Sequence, residues 1–291
     1  MDSKFMADLA ASPGLRYALA VGLLGALAFG VVGSYVVTRR ITYIAGAIAH
    51  SVLGGVGAVL FWNARQGLEP GEGIDPLWGA LVAALFCALI IGFVSLYARQ
   101  REDTVIGAIW AIGMAVGVLF SFYTPRYTSA LVSYLVGQVS LQAAGDVMLV
   151  LILDAIVLGT VLMFYNKFLV VCFDEEYART RGLRAQFWYV VLLCLTALAV
   201  VIMVRLVGII LVIALLTLPA AIAGHFTRRL WQMMALASLL CMAFVASGMW
   251  AAYELGETGL PTGPVIIVIA GSAYILVALG SRLVHKFRAH S

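Results

Sequence analysis

Charged side chains are scarce in this 291-residue sequence. Aspartate, glutamate, lysine and arginine make up 11% of the residues and apolar residues 64%, with a mean hydropathy of +1.06. This composition excludes an ordinary soluble globular protein. The apolar runs are continuous over roughly 20 residues rather than alternating over roughly ten, so they predict membrane-spanning helices and not the strands of a barrel.

Cysteine motifs are also missing. Cys87, Cys172, Cys194 and Cys241 lie within or beside apolar runs and show neither CxxC nor Cys/His spacing. We interpret them as small buried apolar residues, and their spacing supports neither a disulfide framework nor a thiolate metal site. The net charge of +4 does not predict a nucleic-acid partner, because the basic residues are dispersed among short loops.

The apolar runs predict an all-α integral membrane protein, a polytopic bundle of about nine transmembrane helices in one domain over residues 1–291. A short interfacial helix is predicted at 5–13. The predicted spans are 17–38, 41–62, 77–97, 104–123, 147–165, two spans within 185–223, 231–253 and 264–283. Segment 124–146 is too interrupted by polar residues to span, so we interpret it as extramembrane or re-entrant.

The loop charges predict the orientation. Most of the 18 lysines and arginines lie on one side of the predicted spans, which the positive-inside rule makes cytoplasmic. The N-terminus is then outside and the C-terminus cytoplasmic. Acids cluster on the outer side, where they are either solvated loop residues or an anionic vestibule that concentrates cations; they are Glu69, Glu72, Asp75, Asp146, Glu254 and Glu257.

A histidine lies in the middle of a predicted span. Residues 39–57 read RRITYIAGAIAHSVLGGVG, with His50 among small and apolar residues. A titratable group in such a segment usually faces a cavity or a partner, so His50 is a functional-site candidate, with a hydrogen-bonded interface histidine as the alternative. Asp154 is the one acid well inside a predicted span, and it is either a metal ligand or a hydrogen-bonded structural acid.

The segment FDEEYARTRGL at 173–183 predicts a short helix, at about 174–182, that projects into water. Acids favour a helix N-terminus, bases its C-terminus, and glycine ends it. The residues concerned are Asp174, Glu175, Glu176, Ala178, Arg179 and Gly182. Glu176, Ala178 and Gly182 have an E-x-A-x-x-x-G spacing. It resembles that of the coupling helix that docks onto the nucleotide-binding subunit of an ABC transporter, although an ordinary amphipathic loop helix has similar features.

Four segments, in order along nearly the whole chain, resemble the permeases of bacterial zinc, manganese and iron ABC importers. Residues 39–57 are similar to that family's RRMSLIGDALAHAVLPGVA, and FDEEYARTRGL is similar to its FDPEFARxxGL. The segment YLVGQVSLQAAGDV at 134–147 resembles LFGSILxVSxxDL, and VGIILVIALLTLPAAIA at 207–223 resembles VGxLLVxALLIIPAATA.

The resemblance implies a permease subunit in the bacterial inner membrane that imports a divalent metal ion by alternating access. The implied partners are a second permease copy in a homodimer, two ATP-binding subunits and an external metal-binding protein. The chain has no Gly-x-x-x-x-Gly-Lys-[Ser/Thr] phosphate loop, so we expect a transport subunit that is not itself an enzyme, with ATP hydrolysed on a separate chain. The metal is a substrate, and no bound cofactor is expected.

His50 is the principal candidate metal ligand, because a neutral imidazole suits zinc, manganese and iron. It makes zinc the first expectation, ahead of manganese and iron. The family's aspartate four residues earlier is Gly46 here, and the aspartate of its last outer loop is Gly259, so other groups must complete the ion path or the site is weaker. Further candidates are Asp154, Gln138, Asp146 and Glu257.

Two other functions stay open at this point. One is an ABC permease for a metal chelate such as a siderophore or cobalamin, which needs a wider, less charged pathway. The other is an ion-coupled secondary transporter, for which internal repeats with broken helices are expected.

Overall fold

The computed structural model describes residues 4–69, 72–97, 102–124, 132, 134, 135, 137, 144–255 and 260–288. Over these residues the chain forms α-helices joined by short connections. They are α1 (Lys4–Ala11), α2 (Pro13–Arg39), α3 (Thr42–Arg65), α4 (Pro76–Tyr97), α5 (Glu102–Tyr123), α6 (Ala144–Phe173), α7 (Glu175–Thr180), α8 (Ala185–Val207), α9 (Ile209–Phe226), α10 (Leu230–Leu255) and α11 (Thr262–Arg288).

The described helices confirm a polytopic membrane protein. Eight of them, α2–α6, α8, α10 and α11, are long and apolar enough to cross a bilayer, and α9 supplies a shorter apolar helix with Pro219 inside it. The predicted division of residues 185–223 into two helices is also confirmed. The break falls at Gly208, whose φ of +86° is unfavourable for other residues.

The predicted end of the fifth span, at about residue 165, falls beside a kink within a longer helix. Helix α6 continues to Phe173, with non-helical backbone angles at Phe164. Lys167 follows the kink, and its ammonium lies 4.6 Å from the centre of the Trp188 ring, a favourable cation–π contact. Beyond it, the fully buried Phe168 packs into the bundle, so the helix is held by its neighbours.

Helices α2 and α3 form the centre of the bundle. Helix α2 packs against α6, α8, α9 and α10, and α3 packs against α4, α5, α8 and α9. Glycines allow the closest crossings, since a Cβ added at Gly55 of α3 would collide with the Gly79 backbone of α4. About two thirds of the apolar stretch of α3 is buried, compared with 11% for α5, which lies at the edge of the bundle.

The short N-terminal helix predicted at 5–13 is present as α1. Phe5 is buried and contacts the Tyr253 ring edge-on, with ring centroids 5.8 Å apart, so α1 is anchored to the C-terminal end of α10. The predicted re-entrant or extramembrane segment at 124–146 lies largely outside the described residues and stays a prediction.

Candidate functional site

His50 lies half-buried on α3, facing α5. Its ring stacks on the indole of Trp110, with centroids 4.6 Å apart and an interplanar angle of 18°. Its Nδ1 is buried and has no hydrogen-bond partner among the described residues. The alternative of a hydrogen-bonded interface histidine therefore finds no support at Nδ1, and the nitrogen keeps its capacity to bind a proton or a metal.

Trp110 also fills the space beside Gly46, one helical turn before His50. A Cβ added at Gly46 would lie 3.0 Å from Cζ3 and 3.2 Å from Cη2 of the indole. It would also lie 3.2 Å from Cδ1 of Ile213, on α9. Residues four apart share a helix face, so any side chain at position 46 would have to share this space with the indole. We call His50, Gly46, Trp110 and Ile213 the His50 site.

Close packing of α3 on α5 holds the His50 site together. A Cβ at Gly54 would lie 3.0 Å from the Gly113 carbonyl oxygen, and one at Gly57 would lie 3.2 Å from Gly117. The indole also packs on Tyr43, with 5.5 Å between the ring centroids. Aromatic pairs at such distances contribute about 0.5–1.5 kcal/mol beyond area burial. The ring of Trp110 is thus fixed along α3 between Tyr43 and His50.

Asp154 belongs to a different interface. It lies on α6, which packs against α2 and α8, and its side chain is 4% exposed. Neither carboxyl oxygen has a hydrogen-bond partner in the described part of the chain. The structure therefore does not bring Asp154 together with His50, and the described residues contain no group of three His, Cys, Asp or Glu side chains arranged to hold a metal.

The remaining candidate ligands stay predictions. Gln138 and Glu257 lie outside the described residues, and of Asp146 only the backbone, in the first turn of α6, is described. Sequence reasoning missed Trp110, because an aromatic residue in an apolar span carries no signal of which neighbour it will contact.

Helix α7 begins and ends with local hydrogen bonds. The carboxylate of Asp174 accepts a hydrogen bond of 2.8 Å from the backbone N–H of Tyr177, which caps the N-terminus. At the other end, the N–H groups of Gly182 and Leu183 donate to the carbonyls of Arg179 and Ala178, each at 3.0 Å. This is a Schellman motif, and Gly182 has the positive φ, +74°, that the motif requires. The short helix predicted at about 174–182 is present.

Two contacts fix α7 to the bundle. Ala178 is fully buried, and the Glu175 carboxylate accepts a charged hydrogen bond of 2.6 Å from Arg39, the last residue of α2. Arg179 makes a second ion pair with Glu175, at 2.7 Å, and the Arg39 guanidinium lies over the Tyr189 ring of α8. The sequence does not predict this contact of Arg39 with α7, because the two residues of the ion pair lie 136 positions apart.

Electrostatics favour the charged form of Glu175. Partial burial alone would raise the pKa of this carboxyl group, but the hydrogen bonds and positive charges of Arg39 and Arg179 outweigh it, and the pKa lies below its ordinary value. The pair is therefore ionised at neutral pH. Its neighbours Asp174 and Glu176 are exposed and project from the same short helix.

A cavity of about 460 Å³ lies at this end of the bundle. It is lined by the ends of α2, α3, α4, α5, α7 and α8, including Glu175 and Tyr43. Tyr43 is also the residue that packs on Trp110. Arg39, which holds α7, and Tyr43, which packs on the indole beside His50, therefore line the same cavity.

Comparisons with known proteins identify the family. A chain from PsaBC of Streptococcus pneumoniae, solved in complex with a Fab, superposes with a TM-score of 0.81 at 26% identity, over 95% of both chains. A "probable metal transport system membrane protein" of Chlamydia trachomatis is 38% identical, over 93% of this chain and 90% of the relative. The manganese transport system membrane protein MntC of Listeria monocytogenes is 31% identical, over 91% and 90%.

The family assignment covers almost the whole chain. Residues 12–281 match the ABC 3 transport family, and this range includes every long apolar helix. Two predictions are confirmed: the resemblance to the permeases of metal-ion ABC importers, and the multi-pass location in the bacterial inner membrane. The chain belongs to the ABC 3 transport family.

Proposed function

We propose that this chain moves a divalent transition-metal ion into the cytoplasm as the permease subunit of an ABC importer. The observation that carries the proposal is His50, an imidazole within a membrane span whose buried Nδ1 has no hydrogen-bond partner among the described residues. An unsatisfied polar atom in an apolar interior is costly, and such atoms mark ion or substrate pathways in membrane proteins. A single imidazole also binds a passing metal weakly enough to release it.

The chemistry of the His50 site favours zinc as the first substrate, with manganese and iron next. Imidazole is a common ligand of zinc, whereas manganese prefers carboxylate and carbonyl oxygens. No carboxylate lies on α3 beside His50, because position 46 is glycine. Manganese remains the direct competitor, since the Listeria relative is named as a manganese transport protein.

Helix α7 is the element through which we propose that ATP-binding subunits act. It is short, capped at both ends, and presents Asp174 and Glu176 to water. Its contact with Arg39 leads to the turn between α2 and α3, the helix that carries His50. Movement of α7 on a partner subunit would therefore be transmitted to α3, which is what alternating access requires.

The assembly that we propose contains two copies of the chain, two ATP-binding subunits and an external metal-binding protein, with the N-terminus outside. The exposed flank of α5, beside the His50 site, suits a second copy that would enclose the ion path. Arginines 39, 40, 228 and 229 lie at helix ends that belong to the side carrying α7, which agrees with a cytoplasmic position.

The test is metal uptake by the full complex reconstituted in vesicles. With ATP supplied to the ATP-binding subunits and the external binding protein present, we expect uptake of zinc that excess manganese inhibits less effectively than excess unlabelled zinc. Uptake without ATP, or uptake only of a metal chelate, would contradict the proposal.

A further inference from the structure

Trp110 occupies a position in which it controls the number of protein groups that can reach a metal at His50. One face of the imidazole is covered by the indole at 4.6 Å. The same indole fills the volume beside Gly46, where the next side chain on that helix face would lie. A single residue of α5 thus closes both positions.

The neighbours of the indole restrict where it can lie. Tyr43 packs against it from the side of the α2–α3 turn, and Ile213 of α9 borders the same space beside Gly46. Helix α5 is held close to α3 at Gly54 and Gly57, so the backbone that carries Trp110 has little freedom to withdraw. The position of the ring is set by the shape of the interface.

We infer that Trp110 is the residue that determines metal specificity at the His50 site: it excludes a second ligand at position 46 and leaves one imidazole edge as the contribution of α3. This inference rests on the proposed function. Zinc accepts nitrogen ligands readily, whereas manganese gains more from a carboxylate oxygen, so excluding the carboxylate disfavours manganese. Gly46 and Trp110 act together. A larger residue at position 46 would crowd the indole, and a smaller residue at position 110 would leave the space beside Gly46 open.

Four forms of the reconstituted complex test this inference: the unchanged chain, Gly46→Asp, Trp110→Ala and the double variant. The side chain introduced by Gly46→Asp has to share its space with the indole, so this variant alone should reduce uptake of both metals about tenfold, the loss usual for a disturbed metal site. Trp110→Ala should retain uptake with a reduced preference for zinc, because water, an oxygen ligand that suits manganese, can then enter the space beside Gly46. The double variant should recover uptake relative to Gly46→Asp and shift the zinc-to-manganese ratio towards manganese by about tenfold.

The control is Trp78→Ala, which removes an exposed indole near the start of α4 and should leave both uptake and preference unchanged. Two results would overturn the inference: the effects of Gly46→Asp and Trp110→Ala are independent of each other, or the metal preference is the same in all four forms. A structural role for Trp110 would lower uptake without changing the ratio.

Fluorescence gives a readout that does not need transport. Adding zinc alone to the purified complex should change the emission of the unchanged chain, because a metal on the imidazole alters the stacked indole. The change should disappear in Trp110→Phe and in His50→Ala and persist in Trp78→Phe. A change that persists in Trp110→Phe would overturn the inference, while normal uptake by His50→Ala would instead refute the proposed function.

Discussion

The His50 site and helix α7 are held in place by opposite means. Helix α7 is fixed by polar contacts close in sequence, the Asp174 cap and the Gly182 turn, and by the ion pair between Glu175 and Arg39. The His50 site is fixed by ring stacking and by glycine contacts between α3 and α5, and its Nδ1 makes no hydrogen bond in the described structure.

This difference matches the proposed tasks of the two regions. A short helix that meets a partner in water needs its own caps, because the burial of Ala178 alone gives it little packing. An imidazole that meets a passing ion must be positioned without using its nitrogen, and shape alone can do that. Changes to shape should therefore damage the His50 site, and changes to charge should damage α7.

The largest effect is expected from Gly55→Val. The added side chain would collide with the Gly79 backbone, which cannot move away as a side chain can. Overpacked interiors typically lose ~1–3 kcal/mol of stability, and a backbone collision should cost no less. The loss should appear as a lower melting temperature of the purified chain. The control is Gly159→Val, since among the described residues no heavy atom of another part of the fold lies within 4 Å of a Cβ at Gly159. Equal melting temperatures for the two variants would refute this packing account.

The next effect is expected from reversing the charge at Glu175. Glu175→Lys places three cations together, with Arg39 and Arg179, and should separate α7 from the end of α2. Metal transported per ATP hydrolysed should fall about tenfold, a typical size for coupling between sites. In the double variant with Glu175→Lys and Arg39→Glu, the amount of metal transported per ATP should recover in part, because the two charges are exchanged. If the single variant keeps a normal ratio, the ion pair does not transmit movement.

A smaller effect is expected at the C-terminal end of α7. Gly182→Ala forces a residue with a Cβ to hold a φ of +74°, which costs about 1–2 kcal/mol. The amides of α7 should exchange hydrogen with solvent several-fold faster. Gly159→Ala, in the middle of α6, is the reference and should show no increase. Unchanged exchange in Gly182→Ala would mean that the turn does not hold the helix.

The smallest effect is a pH dependence of stability. The pKa of Glu175 is lower in the folded protein, so its stabilising contribution is complete above the unfolded value of about 4.3 and is lost as the pH falls through the folded value. At neutral pH, Glu175→Gln should cost no more than ~1 kcal/mol, because the pair is partly exposed. In acid, Glu175→Gln and the unchanged chain should have the same free energy of unfolding. The control is Glu176→Gln, at the exposed neighbouring residue. A difference in the free energy of unfolding between Glu175→Gln and the unchanged chain that grows in acid would contradict this account.

The sequence predicted those features that depend on local chemistry. The spans followed from the length of the apolar runs, and α7 followed from acids, bases and a glycine in their usual helix positions. The end predicted at about 165 lies beside the kink at Phe164, whereas the continuation of the same helix to Phe173 depends on contacts with another helix, such as that of Lys167 with Trp188.

The contents of the His50 site could be predicted only in part. The position of His50 within a span marked it as a candidate, and Gly46 marked an absent carboxylate. That Trp110 fills the resulting space depends on the packing of α5 on α3, which no local pattern records. The separation of Asp154 from His50 is likewise a property of the tertiary fold.

The most direct measurement is zinc uptake by the reconstituted complex carrying His50→Ala, compared with His225→Ala. His225 is exposed at the end of α9, where its Nδ1 lies 2.9 Å from the Ala221 carbonyl oxygen of its own helix. We predict that His50→Ala lowers uptake by at least about tenfold while His225→Ala leaves it unchanged. Equal uptake by the two variants would contradict the role of His50.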